Sequence, residues 1–326
     1  MSNQTRGGDL FRGALAGALG SAALAGFNYL SGEAGEPPRP VLGGDQREYP
    51  WRMGRVAYHV DGPEDGVPML FVHGIHAAGC NYEFRKNFDF FARVGYRVYA
   101  PDLLGFGLSD HPVMKYTDEV YIALISDFVR DVIGDKTNVI ATSLSCSFVI
   151  AAASRYPERF GSLVLIEPVG LKQLRGKLPI VSDLFYNFVN SPIFGEAFFN
   201  ALTSSPSLRY YLGQQGYLNK ALITDEMIEH YYSVSHQPGA RYAPAAFISG
   251  YLNRDVREEW ARLKNPTLIA WGYQAKTTPV QNGTEFLRLN PRAVIDGYDA
   301  NLLPHDEQAE KFNVETLRWL QGKRKS

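Results

Sequence analysis

The string Ala141-Thr142-Ser143-Leu144-Ser145 sets a serine between small residues, directly after the apolar run Asn138–Ala141 and before a helix-length stretch, Cys146–Tyr156. Such a string suits a tight strand-to-helix turn that lifts a hydroxyl above a sheet edge, where it can attack a carbonyl carbon. Both Ser143 and Ser145 meet the pattern. A serine hydroxyl is a weak nucleophile near neutral pH. It needs a base for its proton, usually a histidine held by a carboxylate. Upstream, Leu70-Phe71-Val72-His73-Gly74-Ile75 reads as a buried strand ending in His-Gly. A glycine there lets the following backbone N–H turn toward a developing oxyanion. The Gly-rich stretch Pro101 to Asp110 lacks the spacing and helix of a dinucleotide loop, so nucleotide binding is excluded. No His/Cys/Asp/Glu cluster has metal-ligand spacing, and no cofactor is implied.

These residues need elements to position them. Short apolar runs predict strands at Arg55–Val60, Met69–His73, Arg97–Pro101, Asn138–Ala141, Ser162–Ile166, Thr267–Trp271 and Ala293–Ile295. Most lack alternation, as strands buried on both faces should. Helix-length segments lie between them: Tyr82–Val94, Asp118–Ile133, Cys146–Tyr156 and Glu307–Leu320. The alternation predicts an α/β class with a mostly parallel, doubly wound sheet. From Val169 to Asn265 the rhythm stops and aromatics crowd the sequence, which predicts a helical insertion over the C-terminal edge of the sheet.

Composition agrees with a globular domain: 326 residues, 45% apolar, 21% charged, net charge −1. The near-neutral charge argues against a nucleic-acid partner. Two cysteines, Cys80 and Cys146, exclude a disulfide framework.

The chain resembles the α/β-hydrolase superfamily, in particular capped members of the epoxide hydrolase, haloalkane dehalogenase and C–C hydrolase type. The resemblance runs from about Arg55 to Leu320. It rests on His73-Gly74, the Asp102–Asp110 string, the elbow, Tyr156-Pro157-Glu158-Arg159, Trp271-Gly272 and Pro304-His305-Asp306-Glu307-Gln308. It implies a hydrolase core at 46–168 and 266–326, a helical cap at 169–265, Ser143 as the elbow serine, and the amides of Ile75 and Leu144 as oxyanion donors. It also implies that the acid position holds Ala275 and the histidine position Leu302, so both usual partners of Ser143 are lost.

Substitutes are few. Glu167 ends the strand after the elbow helix, where some dehalogenases carry their acid. His305 lies about one turn into the following helix, and His230 and His236 fall in the inserted segment. His76 follows the oxyanion loop, and Cys80 and Cys146 lie near the expected site. Loss of triad members costs about 10⁴- to 10⁶-fold in rate. The sequence therefore predicts a non-hydrolytic ligand-binding or scaffold protein with a small hydrophobic ligand in its cleft. The alternatives are a serine hydrolase-like enzyme (ester, lactone, epoxide or C–C bond) with a rerouted base, and a structural subunit of a membrane complex.

Residues 1–35 stand apart, with 36–45 as a Pro-rich linker. Gly13 to Leu30 carries no charge, and as a helix would rise roughly 27 Å. It is expected to attach to a membrane or a membrane partner through residues 13–30. The other readings are a cleaved signal peptide, giving an exported protein, and a soluble helix, giving a cytoplasmic one.

Overall fold

The computed structural model describes residue 26 and residues 38–171 and 179–322. An eight-stranded sheet forms the centre, in the order β1-β2-β4-β3-β5-β6-β7-β8. The strands are β1 (Asp45–Trp51), β2 (Gly54–Asp61), β3 (Val67–Val72), β4 (Tyr96–Pro101), β5 (Thr137–Thr142), β6 (Phe160–Ile166), β7 (Thr267–Gly272) and β8 (Val294–Tyr298). β2 runs antiparallel to both of its neighbours, β1 and β4, and the other pairs are parallel.

Seven of these strands occupy the positions expected from the apolar runs. β1 departs from the sequence expectation of linker and domain start: DQREYPW is polar and carries no apolar run, yet it pairs with β2 and is mostly exposed. It is an edge strand, and charges and a proline are how an edge avoids further pairing.

Around the sheet lie α1 (Phe88–Arg93), α2 (Asp118–Phe128), α3 (Ser145–Arg155), α10 (Gly283–Leu289), α11 (Pro304–Glu307) and α12 (Ala309–Leu320). The single helix expected at Tyr82–Val94 is a 3₁₀ turn, Asn81–Phe84, followed by α1. Buried Asn87 sits between them, and its side-chain N–H donates to the His305 carbonyl and to Asn313. The inserted segment is helical in its described part, with α4 (Pro179–Val189), α5 (Phe194–Leu202), α6 (Ser205–Tyr211), α7 (Asp225–Ser235), α8 (Tyr242–Ile248) and α9 (Arg257–Arg262). Trp260 of α9 is fully buried in the main core, where its indole N–H donates to the Phe286 carbonyl.

Apolar packing covers both faces of the sheet. One face meets α2, α3 and α10 through residues such as Leu70, Val139, Phe148 and Phe286. The other meets α1 and α12 through Phe71, Phe88, Phe91 and Phe312. A third cluster joins the inserted helices to the core, with Leu208, Met227 and Tyr231 against Ala78 and Tyr82.

Among the described residues no helix is long and apolar enough to cross a membrane. Apart from Gly26, the stretch Gly13 to Leu30 lies outside the described residues, so membrane association has no support in the described chain.

Candidate active site

The site forms where β3, β5 and β6 end. Ser143 follows β5 with φ of +54°, a left-handed backbone that a serine adopts only under strain. Two contacts hold it there: its N–H donates to the Ile166 carbonyl at 2.8 Å, and its carbonyl accepts from Cys146 N–H at 3.2 Å. Ser145, the other elbow candidate, is fully buried and its hydroxyl donates to the His73 carbonyl at 2.6 Å. That bond ties the elbow to the neighbouring loop and leaves Ser143 as the serine that opens on the site.

The loop after β3 is held just as firmly. His73 Nε2 accepts from Leu103 N–H at 3.0 Å, and Nδ1 lies 2.9 Å from the Gly74 carbonyl. Burial pushes its pKa down to about 4, so the ring is a neutral brace rather than a base. Gly74 passes close to the elbow: a Cβ there would sit 3.7 Å from Ser143 Cβ. Among the described residues, neither Ile75 N–H nor Leu144 N–H donates to a hydrogen bond. Both amides are thus available for an oxyanion.

The stretch Asp102–Asp110 is a buried turn. The Asp102 carboxylate accepts from Asn81 N–H at 2.7 Å and Leu108 N–H at 2.9 Å. Gly107 has φ of +55°, and a Cβ would fall 2.2 Å from Asp102 Cγ. Gly107→Ala is expected to cost at least about 2 kcal/mol, read as a lowered thermal midpoint.

A chamber of about 60 Å³ joins these parts. Ser143, Ile75, Glu83 and Glu167 line it from the core, and Tyr211, Leu212 and Tyr231 roof it from the inserted helices. Leu302, where the resemblance expects a histidine, lines it too and contributes an apolar wall. Ala275 is buried in the apolar core instead.

Two carboxyl groups share the chamber with opposite electrostatics. Glu83 accepts from Gly74 N–H at 2.7 Å, and its other oxygen faces His305 Nε2 at 3.3 Å. Burial pushes the Glu83 carboxyl up, but His305 and the Gly74 amide outweigh it and hold it at about 2. Burial pushes Glu167 up to about 8, against the Thr278 hydroxyl and the Gly272 N–H that hydrogen-bond it. Separated carboxyl pKa values in one site are the pattern of an acid and base pair. Pairing of Glu83 with a histidine 222 positions away could not be read from the sequence.

The remaining histidines lie apart from Ser143 or have the wrong tautomer. His305 is fully buried between Phe84 and Phe312 and does not line the chamber. His230 stacks on Tyr82 with its Nε2 3.7 Å from the Cys80 sulfur. His236 stacks on Tyr232 with centroids 3.8 Å apart. His76 does line the chamber, but its Nδ1 accepts from Ala78 N–H at 3.3 Å. Its neutral proton therefore sits on Nε2, which can donate but not accept. Cys80 and Cys146 are buried, and burial pushes both thiols up, so both are packed rather than reactive.

Outside the chamber a cleft of about 780 Å³ runs between the inserted helices. Phe198, Leu202, Tyr210 and Phe247 line it, and it shares His76 and Tyr211 with the chamber.

A family model described as alpha/beta hydrolase fold matches residues 67–305, and the chain belongs to that family. It is 26% identical over 276 residues to a 2-hydroxy-6-oxo-6-phenylhexa-2,4-dienoate hydrolase of Burkholderia cepacia, covering 80% of this chain and 90% of that one. It is 26% identical over 257 residues to a 2-hydroxymuconate semialdehyde hydrolase of Pseudomonas putida, covering 76% and 85%. The fold is shared with the crystal structure of a serine hydrolase involved in carbazole degradation, at a TM-score of 0.68 and 22% identity, covering 86% of this chain and 99% of that one.

These findings correct the expectation of a non-hydrolytic binding or scaffold protein. Relatives that span most of the chain are named hydrolases. The physical reason the expectation failed is that it equated two lost positions with a lost site. The strained turn at Ser143 remains, the Ile75 and Leu144 amides have no partner among the described residues, and two titratable carboxyls face the chamber.

Proposed function

We propose that the chain hydrolyses uncharged, largely apolar carbonyl compounds, esters foremost, through attack by Ser143 Oγ. The observation that supports this most is the strained Ser143, one residue past β5, beside the two free amides of Ile75 and Leu144. Strain of that kind persists where the surrounding structure over-determines it, as at functional sites. The amides are placed to stabilise the charge that develops on a carbonyl oxygen.

The substrate class follows from the lining. The dienoate in the name of the Burkholderia relative carries a carboxylate, but among the described residues no lysine or arginine lines this chamber or the adjoining cleft. The ionised Glu83 would repel an anion there. A neutral carbonyl at Ser143 with an apolar arm in the cleft suits these walls.

Steady-state turnover of an aryl acetate, an aryl hexanoate and 2-hydroxy-6-oxo-6-phenylhexa-2,4-dienoate tests the reading. The esters are expected to react, the hexanoate best, with the dienoate lower in kcat/KM by tenfold or more. Preferred turnover of the dienoate would refute the substrate class. No turnover of any of the three would refute the function.

A further inference from the structure

Attack by Ser143 requires a group that takes its proton, and Ala275 and Leu302 cannot. We propose that Glu167 is this group and that it acts on the Ser143 hydroxyl directly, with no histidine between them. The inference rests on the Ser143 reading above.

The placement is geometric. β5 and β6 are adjacent and parallel, and Thr142 pairs with Ile166. Residues 143 and 167 follow directly on this last paired position, just past the ends of strands about 4.8 Å apart. Among the described residues they are the two non-glycines with positive φ, +54° at Ser143 and +49° at Glu167. Both side chains line the same chamber. A glutamate gains nothing from a left-handed backbone, and two such residues side by side mark a site held in shape by its surroundings.

The carboxyl is fixed from its far side. Gly272 N–H donates to Oε1 at 2.6 Å and the Thr278 hydroxyl donates to Oε2. A carboxylate oxygen has two lone-pair sites, so each keeps one for a further proton.

The neighbours leave Glu167 as the group that titrates. Glu83 stays ionised. Burial keeps His76 neutral near pH 7 and pushes up the Tyr211 and Tyr231 hydroxyls and the Cys146 thiol of α3. Among these groups Glu167, pushed up to about 8, is the one that changes charge between pH 7 and pH 9.

In the step itself, Ser143 Oγ bonds to the ester carbonyl carbon as its proton passes to the Glu167 carboxylate. The C=O π pair moves onto the oxygen beside the Ile75 and Leu144 amides. Return of that pair breaks the bond to the alkoxy oxygen, which receives the proton from Glu167. Water then attacks the acyl-enzyme by the same route, with Glu167 again taking the proton and returning it to Ser143. The products are a carboxylic acid and an alcohol, and no other reactant is consumed.

The test is the pH–rate profile of aryl-ester hydrolysis for the full chain and three variants. For the unaltered chain, kcat is expected to rise with pH through a midpoint near 8. Glu167→Gln should lower kcat by about 10²- to 10⁴-fold. It should also melt higher than the unaltered chain at pH 9. The folded pKa lies above the unfolded value of about 4.3, so ionisation costs stability as pH climbs from there to 8. Thr278→Val keeps the carboxyl but removes a hydrogen bond to its ionised form, so the midpoint should move up. A role confined to structure would leave that midpoint in place. If Ser143→Ala is inactive while Glu167→Gln keeps its rate, or if Thr278→Val leaves the midpoint unmoved, Glu167 is not the base and the Ser143 reading stands. If Ser143→Ala keeps full activity, both fall.

Discussion

Replacing Ser143 by alanine is expected to lower kcat/KM for an aryl ester by at least about 10³-fold. Some residual rate should survive, because the Ile75 and Leu144 amides still polarise a bound carbonyl. The companion variant Ser143→Gly separates chemistry from folding. Ser143 sits at φ of +54°, and glycine occupies that region without penalty. The glycine variant should be as inactive as the alanine one yet more stable than the unaltered chain by about 1 kcal/mol. Thermal melts alongside the rates would check both halves. A variant that loses activity and gains stability has lost a group kept for chemistry.

The second large effect is expected at Asp306, where the inserted helices are fastened to the core. Its side chain is 2% exposed, with Arg85 Nη1 at 2.8 Å and Lys86 Nζ at 2.6 Å. It also accepts from the hydroxyl of Tyr217, and the preceding Gly216 lines the chamber. Asp306→Ala leaves the mostly buried Arg85 without its partner, a loss of about 3–5 kcal/mol. Burial raises the Asp306 pKa, but Arg85 and Lys86 outweigh it and hold the carboxyl below its ordinary value. The stabilisation is therefore complete above the unfolded value of about 3.9 and fades as pH falls through the lower folded value. Chemical denaturation at pH 7 and pH 3 should show a wide gap between the unaltered chain and the variant at the higher pH and a narrower one at the lower. Because Tyr217 loses its anchor, KM for the hexanoate should also rise.

The central strands were legible because burial on both faces leaves uninterrupted apolar runs, as in Thr267–Trp271. β1 was not, since an edge strand with one exposed flank carries no such run. The elbow was legible as a pattern that Ser143 and Ser145 both meet, and the resemblance chose Ser143; the hydrogen bond from Ser145 to the His73 carbonyl, 72 positions away, gives the physical reason Ser145 is occupied elsewhere. The chemistry was misjudged for a related reason. Ala275 and Leu302 are visible in the sequence as absences. The environments that set Glu83 and Glu167 apart are made by His305, Gly272 and Thr278, which only folding brings near. A carboxylate's pKa is a property of what surrounds it, and no local string encodes that.

Whether the chain forms an acyl-enzyme at the elbow is answered most directly by mass spectrometry of the protein quenched during aryl acetate turnover. The expected result is a single acetyl group on the proteolytic peptide that carries Ser143, absent from Ser143→Ala and turned over more slowly in Glu167→Gln. Steady ester hydrolysis with the acetyl group on another residue, or with Ser143→Ala still active, would contradict it.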